Sequence, residues 1–216
     1  MEQGGALIPS LFTLRRIAYS IKEDRNDMAT WNSRGLRGSF LEELVNMTND
    51  KYRSQKLALV QKVPTPIKPI TIDQTTRHIT LAYFEQKSTV DYIGVVQGIP
   101  ICFDAKECAT DRFPLANVHE HQIRFMKEFE EQDGIAFLLI YFKAKDTFMY
   151  LPYAKLDRFW RRMEEGGAKH FKYEELDPAY EISTYSGTFV HYLEQIQMDL
   201  EQRDLSLIHI SEPTRH

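Results

Sequence analysis

This sequence has few cysteines and no net positive charge. The two cysteines, Cys102 and Cys108, are too few and wrongly spaced for a zinc ribbon, and such a pair is typical of reduced thiols in a cytosolic protein. The 27 basic residues are outnumbered by 31 acidic ones, which gives a formal net charge of −4. This balance is unlike that of a histone-type polycation, but it leaves nucleic-acid binding open, because binding depends on where basic residues cluster.

The start of the chain lacks the features of a targeting segment. Residues 1–20 have no basic stretch ahead of their short apolar run, which Pro9 interrupts and Arg15 and Arg16 follow. The pattern favours neither a signal peptide nor a membrane span, so we expect a cytoplasmic protein with no membrane partner. The 216 residues, 43% of them hydrophobic, suffice for one ordinary core, and we expect a single domain.

The two ends of the chain differ from the region between them. Met28 offers a start just before the well-patterned region, so we interpret residues 1–27 as an N-terminal segment that is disordered or not native. Residues 205–216 contain LSLIHISEPTR, which resembles the in-frame translation of a sequencing-library adapter; a genuine, weakly apolar tail is the alternative. We therefore place the domain at residues 28–204.

A helix, a strand and a proline-rich arm are predicted in the first part of this domain. The helix begins in GSFLEELVNMTNDKYRS, where Ser39 is in the N-cap position and Glu42 follows three residues later. Its apolar stripe consists of Leu41, Leu44, Val45 and Tyr52. A short strand, LALVQKV, then runs into PTPIKPI, whose prolines exclude both a helix and a central strand. We predict an extended projecting arm that returns through the strand-like RHITLAYF.

The stretch TVDYIGVVQGIPICFDAK has the pattern of a β-hairpin that carries charges on one face. If Gln97 and Gly98 form a two-residue turn, the residue numbers of the two partners in each cross-strand pair sum to 195. This register places Asp91 opposite Asp104, and Thr89 opposite Lys106. Because side chains alternate between faces, these four residues project from the same face of the hairpin: Thr89, Asp91, Asp104 and Lys106.

Two directly opposed carboxylates repel each other unless a proton or a cation lies between them. Aspartate oxygens are hard ligands that suit Mg²⁺ or Mn²⁺, and a neighbouring lysine suits a developing negative charge or an attacking water. The sequence therefore predicts a divalent-metal site on this face. The alternative is a solvated hairpin face in which Lys106 bridges Asp91 and Asp104.

The following segment, NVHEHQIRFMKEF, is typical of an amphipathic helix. We expect Asn117 at the N-cap and Glu120 at the third helical position. The inward stripe is predicted to contain Val118, Phe125 and Phe129. Gln122 lies on the same stripe, either as a hydrogen-bonded core residue or within reach of the charged face of the hairpin.

This helix also carries two histidines, and an apolar run that follows it completes the predicted order of elements. His119 and His121 are two residues apart, so helical geometry predicts that they point to different faces and do not chelate a metal. IAFLLIYF, from Ile135 to Phe142, is a continuous apolar run typical of a strand that is buried on both faces. The predicted order of elements is α-β-β-β-α-β, followed by more helix.

An acidic pair and a lysine in the pattern D-x12-D-x-K on such a core resemble the restriction-endonuclease-like, or PD-(D/E)xK, nuclease superfamily. A longer series of segments resembles the RecU family of Holliday junction resolvases over residues 31–181: RGSFLEELVNMTNDKY, PTPI, AYFEQKSTVDYIGVVQG, FDAKE, FPLANVHEHQI and, after FW, EEGGAKHF. The resemblance implies an α/β fold with a mixed central sheet, a projecting stalk and C-terminal helices.

The resemblance also implies roles for individual residues. The implied metal ligands are Thr89, Asp91, Asp104 and Gln122, and Lys106 corresponds to the lysine that assists the transition state. Glu42 matches the first-helix acid of these nuclease sites, and a capping-box role is its alternative. The family pattern E-A-K is D-A-K here, so the shorter Asp104 side chain shifts the ligand oxygens by about one C–C bond.

The proline-rich arm corresponds to the stalk that RecU-like proteins insert into the open centre of a four-way junction, at about residues 63–86. The candidate DNA-binding residues are Lys62, Lys68, Arg77, Tyr83, Phe84, Lys87 and Lys169. The two aromatic residues either stack on exposed bases or pack at the base of the arm. The basic group around Lys169 is also compatible with a solvated helix face.

The sequence thus favours a structure-selective endodeoxyribonuclease that resolves Holliday junctions in recombination and repair. We expect Mg²⁺ as cofactor, with Mn²⁺ as a possible substitute, and four-way junction DNA as substrate. Symmetric cutting of two strands favours a homodimer, and a RecA-type recombinase is a candidate partner. The alternatives are a nuclease for another branched or duplex DNA and a non-catalytic junction-binding accessory protein.

Overall fold

The computed structural model describes residues 40–64, 66–84, 89–182 and 190–210, and all their side chains except those of residue 84 and residues 204–210. The elements in chain order are α1 Phe40–Ser54, β1 Ala58–Lys62, β2 Ile67–Ile72, β3 Ile79–Phe84, β4 Tyr92–Val96, β5 Ile99–Cys108, β6 Arg112–Pro114, α2 Glu120–Glu130, β7 Ile135–Phe142, β8 Thr147–Pro152, α3 Tyr153–Glu164, β9 His170–Lys172, β10 Glu181–Ile182 and α4 Leu193–Ile210. The predicted segment 1–27 and the Ser39 cap lie outside the described residues.

A six-stranded mixed sheet forms the centre of the fold, in the order β1-β4-β5-β7-β8-β10. The neighbours β5 and β7 are parallel, and every other pair in this sheet is antiparallel. The parallel pair is possible because α2 lies between β5 and β7 in the chain and supplies the crossover. The prediction of a restriction-endonuclease-like α/β core is thereby confirmed.

Stacked aromatic rings run across one face of this sheet. Tyr92, Phe103, Phe137 and Tyr150 come from four adjacent strands, and successive ring centroids lie 4.7, 4.7 and 4.3 Å apart. Tyr192, just before α4, covers the row by packing on Phe103 and Phe137. Each of these rings buries a large apolar area, so the row holds the central strands rigidly in register.

Helix α1 packs on this core through the predicted stripe. Leu41, Leu44, Val45 and Tyr52 are all buried, as the 3.6-residue period requires. At the other end of the domain, α4 is fixed by Arg203, whose guanidinium donates to Glu130 at 2.7 and 2.8 Å and to Asp199. The Tyr150 hydroxyl also donates to Asp199, at 2.9 Å. Charged side chains thus hold α4 against α2 and β8.

Helix α2 begins later than the sequence predicts. Residues 115–117 form a single 3-10 turn, and the N-cap is His119 rather than Asn117. The third helical position is therefore occupied by Gln122, not Glu120. The side chains that α2 buries are Gln122, Ile123 and Met126, whereas Phe125 and Phe129 are only partly buried.

The sheet is also wider than expected. After β7 the chain turns at residues 143–146 and adds β8 antiparallel to it, before the first of the later helices. The short β10 then pairs with β8, and β6 pairs with β9 in a separate two-stranded sheet. The prediction of further helices after β7 is confirmed by α3 and α4, and strand β8, between β7 and α3, is an element that the sequence analysis did not predict.

The proline-rich arm is a two-stranded antiparallel hairpin, β2–β3, separate from the central sheet. Every residue of β2 is exposed, and its register shifts around Pro69 and Thr71. Asp73 closes the tip by accepting hydrogen bonds from the N–H groups of Thr75 and Thr76, which lowers the pKa of its carboxyl. The structure thus shows a projecting, solvated hairpin where the arm was predicted.

The boundaries of the domain remain a prediction. Helix α4 continues through residues 205–210, the first half of the segment that resembles an adapter translation, and residues 211–216 lie outside the described part of the chain. Among the described helices, none is both long enough and apolar enough to cross a membrane.

Candidate active site

The β4–β5 hairpin has the register that the sequence predicts. Tyr92 pairs with Phe103, Gly94 with Ile101 and Val96 with Ile99. Gln97 and Gly98 both have positive φ, at 48° and 91°, as a type I′ turn requires.

Glutamine is less suited to this conformation than asparagine, but here its side chain is anchored. Gln97 Nε2 donates to the carbonyls of Lys56 and Leu57, both at 3.0 Å. These bonds tie the turn to the loop between α1 and β1, and they help fix the register that places the two acids.

The side chains of Asp91 and Asp104 each accept a backbone N–H from the facing strand. The N–H of Asp91 donates to Asp104 Oδ1 at 2.6 Å, and the N–H of Ala105 donates to Asp91 Oδ2 at 3.1 Å. Asp91 lies just before the first residue of β4, so these side-chain bonds continue the hairpin beyond its regular ladder. Each carboxylate keeps one oxygen outside this pair of bonds.

Lys106 bridges the two carboxylates. Its Nζ lies 3.4 Å from Asp104 Oδ2 and 3.8 Å from Asp91 Oδ2. Asp104 has no exposed surface, and its Oδ2 accepts no hydrogen bond. Burial, followed by repulsion from Asp91, raises the pKa of Asp104 to about 7, against the opposing attraction of Lys106.

These features fit a hard divalent cation. A buried carboxylate oxygen without a hydrogen-bond donor is costly unless a cation or proton compensates it, and Lys106 alone leaves the pKa raised. Within the described ranges no three His, Cys, Asp or Glu side chains converge as a metal cluster. Among the described residues, further ligands beside the two aspartates would therefore be other groups, such as hydroxyl, amide or backbone oxygens.

Thr89 and Gln122 are the predicted sources of those oxygens. Thr89 is partly buried and lines a cavity together with the first turns of α2. Gln122 is 5% exposed, and its Oε1 accepts a hydrogen bond from the N–H of His119 at 3.0 Å. Gln122 is thus a buried capping residue of α2, and its role as a metal ligand stays a prediction.

Glu42 lies in the first turn of α1, and its Oε2 is 2.6 Å from Lys62 Nζ. The Tyr92 hydroxyl, next to Asp91 in sequence, donates to Asn46 at 3.0 Å and lies 3.5 Å from the backbone carbonyl of Glu42. The structure therefore gives Glu42 a cationic partner, Lys62, which was predicted to bind DNA. A catalytic role for Glu42 is not tested by these contacts.

Sequence reasoning missed Glu107. Its Oε1 accepts the N–H of Leu41 at 2.9 Å, at the start of α1, and its Oε2 pairs with Lys143 at 2.5 Å. The sequence feature that could have revealed it is its position directly after Lys106 in FDAKE. Because side chains of a strand alternate, Glu107 must point to the face opposite to Lys106. An acid there can reach an element packed on that face.

The predicted DNA-binding residues fall into separate groups. Lys68 and Tyr83 are directly paired across the β2–β3 hairpin, and Arg77 lies at its tip with φ of 57°. Lys169 is exposed elsewhere, next to the β6–β9 pair, where its carbonyl accepts the N–H of Leu115. The Phe84 side chain and Lys87 lie outside what the structure describes.

The family model described as RecU, recombination protein U, matches residues 36–198. Among similar proteins, the Holliday junction resolvase RecU of Staphylococcus carnosus is 42% identical over 146 residues, which are 66% of this chain and 70% of that protein. The protein of the same name from Oceanobacillus iheyensis is 42% identical over 142 residues, 64% of this chain and 72% of its own length. The one from Bacillus subtilis is 39% identical over 166 residues, 74% of this chain and 80% of its own. The chain therefore belongs to the RecU family.

Proposed function

We propose that this chain is a structure-selective endodeoxyribonuclease that resolves Holliday junctions by metal-dependent hydrolysis of a phosphodiester bond. The observation that carries the proposal is the buried Asp104, whose Oδ2 has no hydrogen-bond donor although Asp91 and Lys106 lie beside it. We propose four-way junction DNA as the substrate because the chain belongs to the RecU family and its relatives are named Holliday junction resolvases.

The residues that would hold the cation are Asp91 and Asp104, with Thr89 and Gln122 as neutral ligands. When bound, Mg²⁺ or Mn²⁺ would supply a Lewis acid for the scissile phosphate and lower the pKa of a water molecule. The reciprocal backbone bonds of the two aspartates fix both carboxylates before the substrate arrives. Such preorganisation means that little reorganisation is needed in the transition state.

Lys106 has a different role. Its ammonium group lies against both carboxylates, and its side chain is one-fifth exposed, which leaves it accessible to a phosphate that approaches the two aspartates. We assign it to orienting the attacking water or to stabilising the extra negative charge on the phosphate oxygens.

The β2–β3 stalk would provide the selectivity for junctions. Lys68 and Arg77 can neutralise phosphates without reading sequence, and the half-exposed Tyr83 offers a ring for an unpaired base. Two strands must be cut symmetrically, and we therefore propose a homodimer, with one site for each strand. A RecA-type recombinase remains our candidate protein partner.

Cleavage of synthetic four-way junctions tests the proposal. The wild-type protein is expected to nick junctions at paired positions with Mg²⁺ or Mn²⁺ and to cut flaps and linear duplex poorly. Asp91→Asn should bind junctions without cutting them, because the amide cannot replace an anionic ligand. Lys127→Ala is the control, since Lys127 is exposed on α2 and pairs only weakly, at 3.8 Å, with Glu131.

The outcome distinguishes the rival functions. A folded wild-type protein that binds junctions but yields no product with either metal would contradict the enzymatic proposal and support a junction-binding accessory protein. Equal cutting of flaps or duplex would instead indicate a nuclease of the same core with another substrate.

A further inference from the structure

A cavity of about 580 Å³ adjoins the candidate active site. Thr89 forms one of its walls, two residues before Asp91, and the other lining residues come from His119 and from α2 as far as Glu128. This volume lies within the usual range for sites that enclose a small molecule or one unit of a polymer. Because Thr89 is only two residues from Asp91, a DNA strand whose phosphate sits at the two aspartates can place a neighbouring nucleotide at this cavity.

Two stacked imidazole rings form part of the cavity lining. The rings of His119 and His121 lie 5.4 Å apart between centroids, with only 14° between their planes. The sequence prediction that these side chains point to different faces was wrong, because His119 is an extended N-cap residue, with φ −89° and ψ 149°, rather than a helical one. Flat rings beside a nuclease site are a platform for a nucleobase.

The charged residues of the cavity favour a nucleobase over a phosphate as its occupant. Glu120 and Glu128 line it, and their carboxylates repel a phosphate but accept hydrogen bonds from the exocyclic amino group of a base. Arg124 lines it as well and offers a guanidinium to a phosphate at the rim. A metal ion is a poorer occupant, because the described residues contain no cluster of three His, Cys, Asp or Glu side chains that could hold one.

We propose that this cavity binds the base of the nucleotide next to the scissile phosphate. The base stacks on the His119–His121 pair, and Glu120 or Glu128 accepts a hydrogen bond from its amino group. Cytosine, adenine and guanine carry such a group and thymine does not, so thymine is disfavoured at this position. The inference rests on the proposed nuclease function and makes the cavity a determinant of where the junction is cut.

Binding measurements without cleavage test the stacking. In the Asp91→Asn background with EDTA, single abasic sites are placed at nucleotides on either side of the cut mapped with the wild-type protein. We expect one of them to weaken junction binding about tenfold, since stacking on an aromatic side chain is worth about one factor of ten or more. Adding His119→Ala and His121→Ala should abolish this sensitivity, whereas His119→Phe and His121→Phe, which keep flat rings, should retain it.

Cleavage mapping tests the base preference. Junctions that differ only at the identified nucleotide should be cut severalfold more slowly with thymine, through a higher KM, and the double alanine variant should lose the difference. Lys127→Ala, on the same helix but outside the cavity, should keep it. Preserved abasic sensitivity in the folded double alanine variant would overturn the inference, and so would equal cutting of all four bases by the wild type. Absence of any cutting by the wild type would instead count against the nuclease proposal itself.

Discussion

The β4–β5 and β2–β3 hairpins are both antiparallel, yet their surroundings are opposite. β4–β5 lies inside the six-stranded sheet, has a regular register and buries Asp104 completely. β2–β3 stands apart from that sheet, has two register shifts and leaves Ile70 59% exposed. The proposed metal site needs ligand oxygens fixed in position, which suits β4–β5, whereas the proposed contact with branched DNA needs an accessible surface, which suits β2–β3.

The largest difference expected between the hairpins is in stability. Ile101→Ala removes a side chain with no exposed surface, and the cavity left in the core should cost about 2–5 kcal/mol in the free energy of unfolding. The same substitution at Ile70 should cost no more than about 0.5 kcal/mol, because that side chain is mostly in water. Urea unfolding of both variants measures the contrast. Equal losses would show that the stalk is packed against a surface in solution.

A second prediction concerns the charge buried in β4–β5. The pKa of Asp104 is raised to about 7 in the folded protein, above its ordinary value near 3.8. The folded state thus binds a proton that the unfolded state releases between these values, so the metal-free protein should lose stability as the pH rises from about 4 to 7. The loss is on the order of 4 kcal/mol, because each pKa unit corresponds to about 1.4 kcal/mol, and it should level off above pH 7.

Asp104→Asn provides the matched control for this titration. The amide has the same shape and can still accept the Asp91 N–H, but it does not ionise. Thermal unfolding with EDTA at pH 5 and pH 8 should therefore show a gain in Tm for Asp104→Asn, relative to wild type, that is larger at pH 8. Mg²⁺ or Mn²⁺ should raise the Tm of the wild type at pH 8 and leave the variant unchanged. A gain independent of pH would mean that Asp104 is not the titrating group.

The smallest expected effect lies in the stalk. Lys68→Ala combined with Arg77→Asn should weaken junction binding severalfold and lower the slope of log affinity against log salt by about two, one for each phosphate contact. Asparagine is chosen because it tolerates the left-handed conformation of Arg77. Fluorescence anisotropy across a salt series measures the slope, with Lys127→Ala as the basic-residue control. An unchanged slope would remove these two residues from the DNA interface.

The register of β4–β5 was predictable because Gln97-Gly98 marks a two-residue turn, which sets every cross-strand pair. That turn places Asp91 against Asp104, and a slip by one residue would move both charges to the opposite face of the hairpin, among the core side chains. The buried strand β7 was predictable for a similar reason, because the apolar run at Ile135–Phe142 exceeds what an exposed strand carries.

The start of α2 was not predictable in the same way. The sequence predicts the pair Asn117 and Glu120 because asparagine is a preferred N-cap residue, whereas histidine is not. In the structure the N-cap is instead His119, a 3-10 turn at residues 115–117 buries Leu115, and Gln122 is buried as well. Burial in the tertiary structure therefore outweighs the local N-cap preference. As a result His119 precedes the helix, and its ring stacks on that of His121.

Strand β5 also links the acid pair on one face of the sheet to helix α1 on the other. Lys106 faces the acid pair, while Glu107, the next residue, reaches the first turn of α1 by accepting the Leu41 N–H. A displacement of α1, which carries Glu42, would therefore act on the residue adjacent to Lys106. The hydrogen bond between Glu107 and the Leu41 N–H thus couples the position of α1 to the strand that carries Asp104 and Lys106.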